Sequence, residues 1–202
     1  LFSPQSKEDS DLFNRFVLNG YKVLQTWEGL VYHFTSRGSR FNKHAGGAAG
    51  KNSEEWLYTT TKNMRNFIRK WGTGVLHDSL MKPIVPNKYN VGIRIKNSNK
   101  NLLHALEPWS DCICMDNDFA SYILEEQPNT NIDLQDKINT LSHLCTNDVV
   151  IDIDGRLFNN TDFEYIQKLS QILDDSGKEG KFQLGNLFIT IHRLETYTKD
   201  LI

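Results

Sequence analysis

Val149-Val150-Ile151-Asp152-Ile153-Asp154-Gly155 is an apolar run of strand length that closes on two acidic residues and an Asp-Gly turn signal. A short, β-branched run bounded by a glycine is the pattern of a strand buried on both faces, and working outward from it gives the fold. Downstream, Thr161 and Glu164 fit a capping box opening an amphipathic helix with Phe163, Ile166, Leu169, Ile172 and Leu173. Gly177 and Gly180 then lead into a strand carrying Leu187, Ile189 and Ile191. Upstream, residues Asp133 to Leu144 read as a helix, Cys112-Ile113-Cys114-Met115 as a strand, Leu102 to Trp109 as a short helix, and Val91, Ile93 and Ile95 alternate as strand residues do. Strand and helix alternate throughout, so the class is α/β, with α+β as the neighbouring class: a sandwich of about four strands with helices on one or both faces.

Lys82-Pro83-Ile84-Val85-Pro86-Asn87 interrupts this pattern, because two prolines so close together suit neither a helix nor a central strand. Residues 82–88 therefore read as a linker between a unit at 1–81 and an α/β domain at 89–202. In the first unit, residues Asp11 to Asn19 predict a short helix with Leu12, Phe13, Phe16 and Val17 on one side, stopped by Gly20. Residues Tyr21 to Leu24 and Gly29 to Phe34 read as strands. Residues Ser36 to Lys51 form a glycine-rich basic stretch, expected to be a mobile loop. A long helix follows, with Asn52 as N-cap, Glu55 three residues on, Leu57, Met64, Ile68 and Trp71 at helical spacing, and Gly72 as its stop.

Composition narrows the class further. The 202 residues are 39% apolar, 24% charged and carry a net charge of −2, which suits a soluble globular chain and excludes wholesale disorder or a polybasic nucleic-acid tail. No apolar run reaches the roughly 18–20 residues of a membrane-spanning helix. Cys112, Cys114 and Cys145 are odd in number and lack C-x-x-C spacing, so they imply neither a disulfide framework nor a structural zinc site, and a reducing, cytoplasmic setting is expected. The opening Leu1-Phe2-Ser3-Pro4-Gln5 has no initiating Met and no signal-peptide pattern, and reads as the remainder of a longer protein. Charge is unevenly spread: up to Val85 there are 12 Lys/Arg against 7 Asp/Glu, and beyond it 11 against 18. Two units with different partners are expected.

The chemistry begins at Lys7-Glu8-Asp9-Ser10-Asp11-Leu12-Phe13-Asn14-Arg15, followed by Asn19-Gly20-Tyr21 and Gly29-Leu30-Val31-Tyr32-His33. Acidic residues in a helix's first turn are explained by its dipole alone, but a carboxylate held there is also equipped to act as a general base. Taken together, the acidic pair, the helix with Arg15, Gly-Tyr, a strand and a terminal Val-Tyr-His resemble the end of the catalytic domain of family-2-type inverting glycosyltransferases of GT-A fold. The resemblance covers residues 1–35 and, more loosely, the chain to about residue 75. It implies that Asp9 is the base that deprotonates the acceptor hydroxyl, that Glu8 is a supporting or acceptor-site carboxylate, and that His33 lies beside a metal-bound diphosphate. In the family a divalent cation, Mg²⁺ or Mn²⁺, and the sugar nucleotide are held by an upstream Asp-x-Asp. This chain starts seven residues before Glu8. The expectation is therefore a C-terminal portion lacking the donor half, with no cofactor of its own, inactive in isolation and binding nucleotide sugars no better than about millimolar. Its partners would be a nucleotide sugar and a glycan acceptor. Arg37 and Arg40, on the basic glycine-rich stretch, are candidates to neutralise the diphosphate leaving group.

Asp152 and Asp154 share one strand face and could hold Mg²⁺. Asp152-Ile153-Asp154-Gly155 resembles the first motif of haloacid-dehalogenase-type phosphatases, but Arg156 stands where that family has Thr, and no later Lys and acidic pair find a place. Cys112 and Cys114 share a face of a strand, with no His at ligand spacing. Two further readings stand beside the transferase: a non-enzymatic module binding protein or glycan, and a metal-dependent hydrolase using Asp152 and Asp154. Nucleic acid is not expected as a partner, and oligomeric state is left open.

Overall fold

The structure is a computed structural model that describes residues 2–3, 6–29, 53–117 and 119–201. Helix α1 (Glu8–Leu18) is followed by α2 (Glu54–Trp71) and a two-stranded antiparallel ribbon of β1 (Leu76–His77) and β2 (Pro83–Ile84). Pro83 and Ile84 thus belong to a ribbon within the stretch read as linker. Beyond it lie β3 (Val91–Lys96), α3 (Lys100–Leu106), β4 (Cys112–Met115), α4 (Ala120–Glu126), α5 (Leu134–Lys137), β5 (Ile138–Thr140), β6 (Val149–Asp154), α6 (Asn160–Gln167), α7 (Leu169–Ser176), β7 (Gly180–Leu184) and β8 (Leu187–Ile191).

The class is α/β, but the main sheet has six strands, ordered β5-β4-β3-β6-β8-β7. β5, β4, β3 and β6 run parallel, whereas β8 is antiparallel to both of its neighbours. All four strands expected in the 89–202 unit lie in this one sheet. The two additional strands have separate explanations. β7 is the outer arm of a hairpin turning at Gly185, φ +60°. β5 replaces the second half of a helix expected over 133–144: Asp133 caps only α5, and Ile138 then pairs with Ile113 at the sheet edge.

Strand alternation sends Val91, Ile93, Ile95, Ile113, Met115, Ile138, Ile151, Ile153, Leu187 and Ile189 to one side, where they form a single core with Leu103, Leu106, Tyr122, Leu134, Ile166, Leu169 and Leu173 of the helices. Each such aliphatic side chain contributes roughly 1.5–3 kcal/mol on burial. Gly92, Arg94, Cys112, Cys114, Val150, Asp152, Phe188 and Thr190 alternate to the other face, where Phe188 remains 55% exposed. This face is open and polar, partly covered by the loop that carries Cys145.

Several local expectations need correction. The N-cap of α2 is Ser53, whose hydroxyl accepts the Trp56 N–H; Asn52 lies outside the described residues. The capping box of α6 is Asn159 with Asp162, two residues earlier than Thr161 and Glu164, and the helical run breaks at Lys168 into α6 and α7. The segment 102–109 is α3 finished by a 3₁₀ turn at Glu107–Trp109, which Pro108 favours by leaving an N–H unneeded. Residues 21–24 form no strand, with Tyr21 and Leu24 exposed. The strand expected over 29–34 falls, apart from Gly29, outside the described residues, as does the whole glycine-rich stretch 36–51. On α1, the apolar side is not the one that docks: Leu12, Phe13 and Phe16 are largely exposed, while Asp11 and Asn14 are buried.

Candidate functional site

Helix α1 starts without a capping side chain. Lys7 at its N-cap has φ 80° and offers no side-chain cap, which leaves the first-turn N–H groups to nearby anions and solvent. The three acids at this start have different fates. Asp11 turns inward: one carboxylate oxygen accepts the Trp71 indole N–H at 2.9 Å and the Lys70 ammonium at 2.6 Å, and the other faces Arg15 at 3.2 Å. Glu8 and Asp9 stay exposed, and among the described residues Asp9 accepts only the N–H of Ser10, at 2.8 Å. Next to Ser10 opens a mainly apolar cavity of about 240 Å³, lined by Phe13, Asn14, Val23, Leu76 and Met81 among others. Two exposed carboxylates, with no salt bridge among the described residues, therefore stand at the start of a fixed helix whose following turn borders a cavity. His33, Arg37 and Arg40 lie outside the described residues.

The second locus is set by topology. The chain lays down β3, β4 and β5 in one direction and returns to place β6 on the opposite flank of β3, so the β3/β6 boundary is a switch point; open α/β sheets bind ligands there, beyond the carboxyl ends of the strands. At those ends Asp116 accepts the Asn97 N–H at 2.6 Å, the Ser98 N–H at 2.9 Å and the Ser98 hydroxyl at 2.6 Å. These bonds, the Ser98 hydroxyl foremost, hold the Asp116 carboxyl below its usual range. Asp154 accepts the Asn97 amide at 3.0 Å and is clasped by Arg156 at 3.2 and 2.9 Å, and the guanidinium lowers its pKa. Asn97 has φ 54°, a left-handed conformation that asparagine tolerates. Gly155 is needed for close approach, since a Cβ there would lie 2.5 Å from the Asn97 carbonyl oxygen.

The third locus is the open sheet face. A cavity of about 380 Å³ is lined there by Arg94, His143, Cys145, Asp152, Lys181 and His192. Asp152 pairs with Arg94 at 3.1 Å. Asp152 and Asp154 thus share a strand face as expected, yet each is matched to an arginine, and among the described residues no three His, Cys, Asp or Glu side chains converge as metal ligands. The donor set does not fit a divalent cation, and no step is derived through one.

One cluster had no signal in the sequence. Glu107, fully buried, is held by Arg69 at 2.6 Å, Arg65 at 3.2 Å, Lys137 at 2.7 Å and the Tyr122 hydroxyl at 2.9 Å, and Glu126 adds a second carboxylate to both arginines. This network fastens α2 to the sheet unit. Its groups are saturated by one another, which marks it as architecture.

No family model, curated protein or solved structure matches the chain.

Proposed function

We propose that the chain is part of an inverting, nucleotide-sugar-dependent glycosyltransferase and supplies the acceptor side of its site, with Asp9 as the base that takes the proton of the acceptor hydroxyl and Glu8 as its neighbour on the acceptor. The observation that carries this reading is the separation of roles on α1: Asp11 is spent on docking the helix, whereas Glu8 and Asp9 are left free on a helix so fixed. A base needs a defined position more than a large binding energy, because proximity and orientation supply much of its effect. The Trp71 and Lys70 bonds to Asp11 give α1 that position. The neighbouring cavity offers an apolar surface for the body of an acceptor. The test is transfer by the complete protein with Asp9 replaced by Asn.

A second reading rests on a different observation, the switch point of the sheet. Its place at the carboxyl ends of β3 and β6, with Asn97, Ser98, Asp116, Asp154 and Arg156 around it, is where a nucleoside diphosphate would bind, its hydroxyls against Asp116 and its phosphates against Arg156. On this reading the 89–202 unit contributes donor affinity. Calorimetric titration of the 202-residue chain with a nucleoside diphosphate separates the two. Saturable binding near about 100 μM or tighter, lost in Asp116→Ala, supports the switch-point reading; binding no better than about millimolar leaves the acceptor-side reading alone.

A further inference from the structure

Three thiols meet on the open face of the sheet. Cys112 and Cys114 are successive outward residues of β4, with sulfurs 4.0 Å apart. Cys145 comes from the loop between β5 and β6. Gly92 is the register partner of Cys112 on the neighbouring strand, and a Cβ built on Gly92 would fall on the Cys145 sulfur. The Cys145 sulfur therefore occupies the place of the side chain that would sit beside Cys112 across the ladder. The glycine at position 92 makes room for it. Cys114 is completely buried, whereas Cys112 and Cys145 are partly exposed.

We propose that these residues form an oxidisable thiol site, in which Cys112 exchanges with a low-molecular-weight disulfide and Cys145 then closes an intrachain Cys112–Cys145 bond. In the first step the Cys112 thiolate attacks one sulfur of the small disulfide, forming a mixed disulfide and expelling one small thiolate. In the second, the Cys145 thiolate attacks the Cys112 sulfur, forming the protein disulfide and expelling the second. The two protein thiols lose two electrons and two protons, and the small disulfide becomes two thiols.

Geometry selects this pair. Residues two apart on a strand lie about 6.6 Å apart, at the edge of the Cα separations a disulfide spans, so Cys112 and Cys114 are poorly placed to bridge. Cys145 sits on a loop whose neighbours Ser142, His143 and Leu144 are exposed, which leaves it free to close the remaining distance. Contact with the Cys145 thiol, ahead of the opposing effect of burial, pulls Cys112 below the ordinary thiol value, and the same contact with burial raises Cys145. The Asn139 amide approaches the Cys112 sulfur at 3.8 Å. Cys112 is thus the attacking thiol. Cys145, whose S–H otherwise donates to Asn147 Oδ1 at 3.0 Å, is the resolving one.

The test uses the reduced 202-residue chain equilibrated with mixtures of reduced and oxidised glutathione, alkylated and mapped by mass spectrometry. Expected are a peptide linked through Cys112 and Cys145, retention of that link in Cys114→Ser, and glutathione accumulating on Cys112 in Cys145→Ser. Iodoacetamide should modify Cys112 at least about tenfold faster than Cys114 in the folded chain. Thermal melting of each variant confirms that it is folded. Three free thiols at every glutathione ratio, or a link that runs through Cys114, would overturn the proposal.

Discussion

Glu107 is a carboxylate with no exposure to water, and its cations come from two separate segments of chain, Arg65 and Arg69 of α2 and Lys137 of α5. Burial alone would push its carboxyl upward, but Lys137 and Arg69 more than reverse that and hold it at about 2, well below its ordinary 4.5. Because the folded-state value is the lower one, the stabilisation is fully present above about pH 4.5 and is lost as pH falls toward 2. Glu107→Gln leaves Arg69 and Lys137 buried with less compensation and is expected to cost about 3–5 kcal/mol in urea unfolding at neutral pH. The variant should also flatten the loss of stability between pH 4.5 and 2. An unfolding midpoint and pH slope equal to those of the unaltered chain would show the network to be idle. None of this was legible in the sequence. Arg69, in the last turn of α2, suits a helix C-terminus by charge alone, and its partner Glu107 lies 38 residues away, a distance over which sequence spacing carries no signal. Asp9 and Asp11, by contrast, were both visible as acids, but only the Trp71 and Lys70 contacts tell the docked one from the free one.

Helix α1 is held by polar contacts more than by its apolar stripe, with Asp11 joining it to the C-terminal end of α2. Asp11→Ala is expected to release α1, with amide hydrogen-exchange protection of α1 falling by about 1–3 kcal/mol while β3 and β6 keep theirs. Unchanged protection in α1 would place its anchoring elsewhere. Elements were legible where burial and local pattern agree. Val91–Lys96, Cys112–Met115, Val149–Asp154 and Leu187–Ile191 are central or next to central, and each carries an apolar residue at every core-facing position. The edge strands were not legible. β5 is three residues long and follows a helix turn with a good cap, and β7 alternates exposed and half-buried residues at the rim, so neither carries a core signal. The apolar side of α1 misled for a related reason: a 3.6-residue period shows that a helix has an apolar face but not what covers it.

At the scale of the whole molecule, the six-stranded sheet buries one face under its helices and leaves the other polar, with a switch point at the carboxyl ends of β3 and β6 and the start of α1 elsewhere on the same chain. No helix among the described residues is long and apolar enough to cross a membrane. The α/β class could be read from strand and helix alternation; the strand order could not, because it depends on where β6 returns. On the proposed reading, chemistry divides between the exposed acidic pair on α1 and the groups that knit the sheet's end together. The most direct measurement of that division is the transfer rate of the complete protein, at saturating acceptor and donor, with Asp9→Asn. A rate lowered about 10²–10⁴-fold with an unchanged melting temperature is the expected result, since a general base contributes on that order. A rate within about twofold of the unaltered protein would contradict Asp9 as the base and the acceptor-side reading of α1 with it.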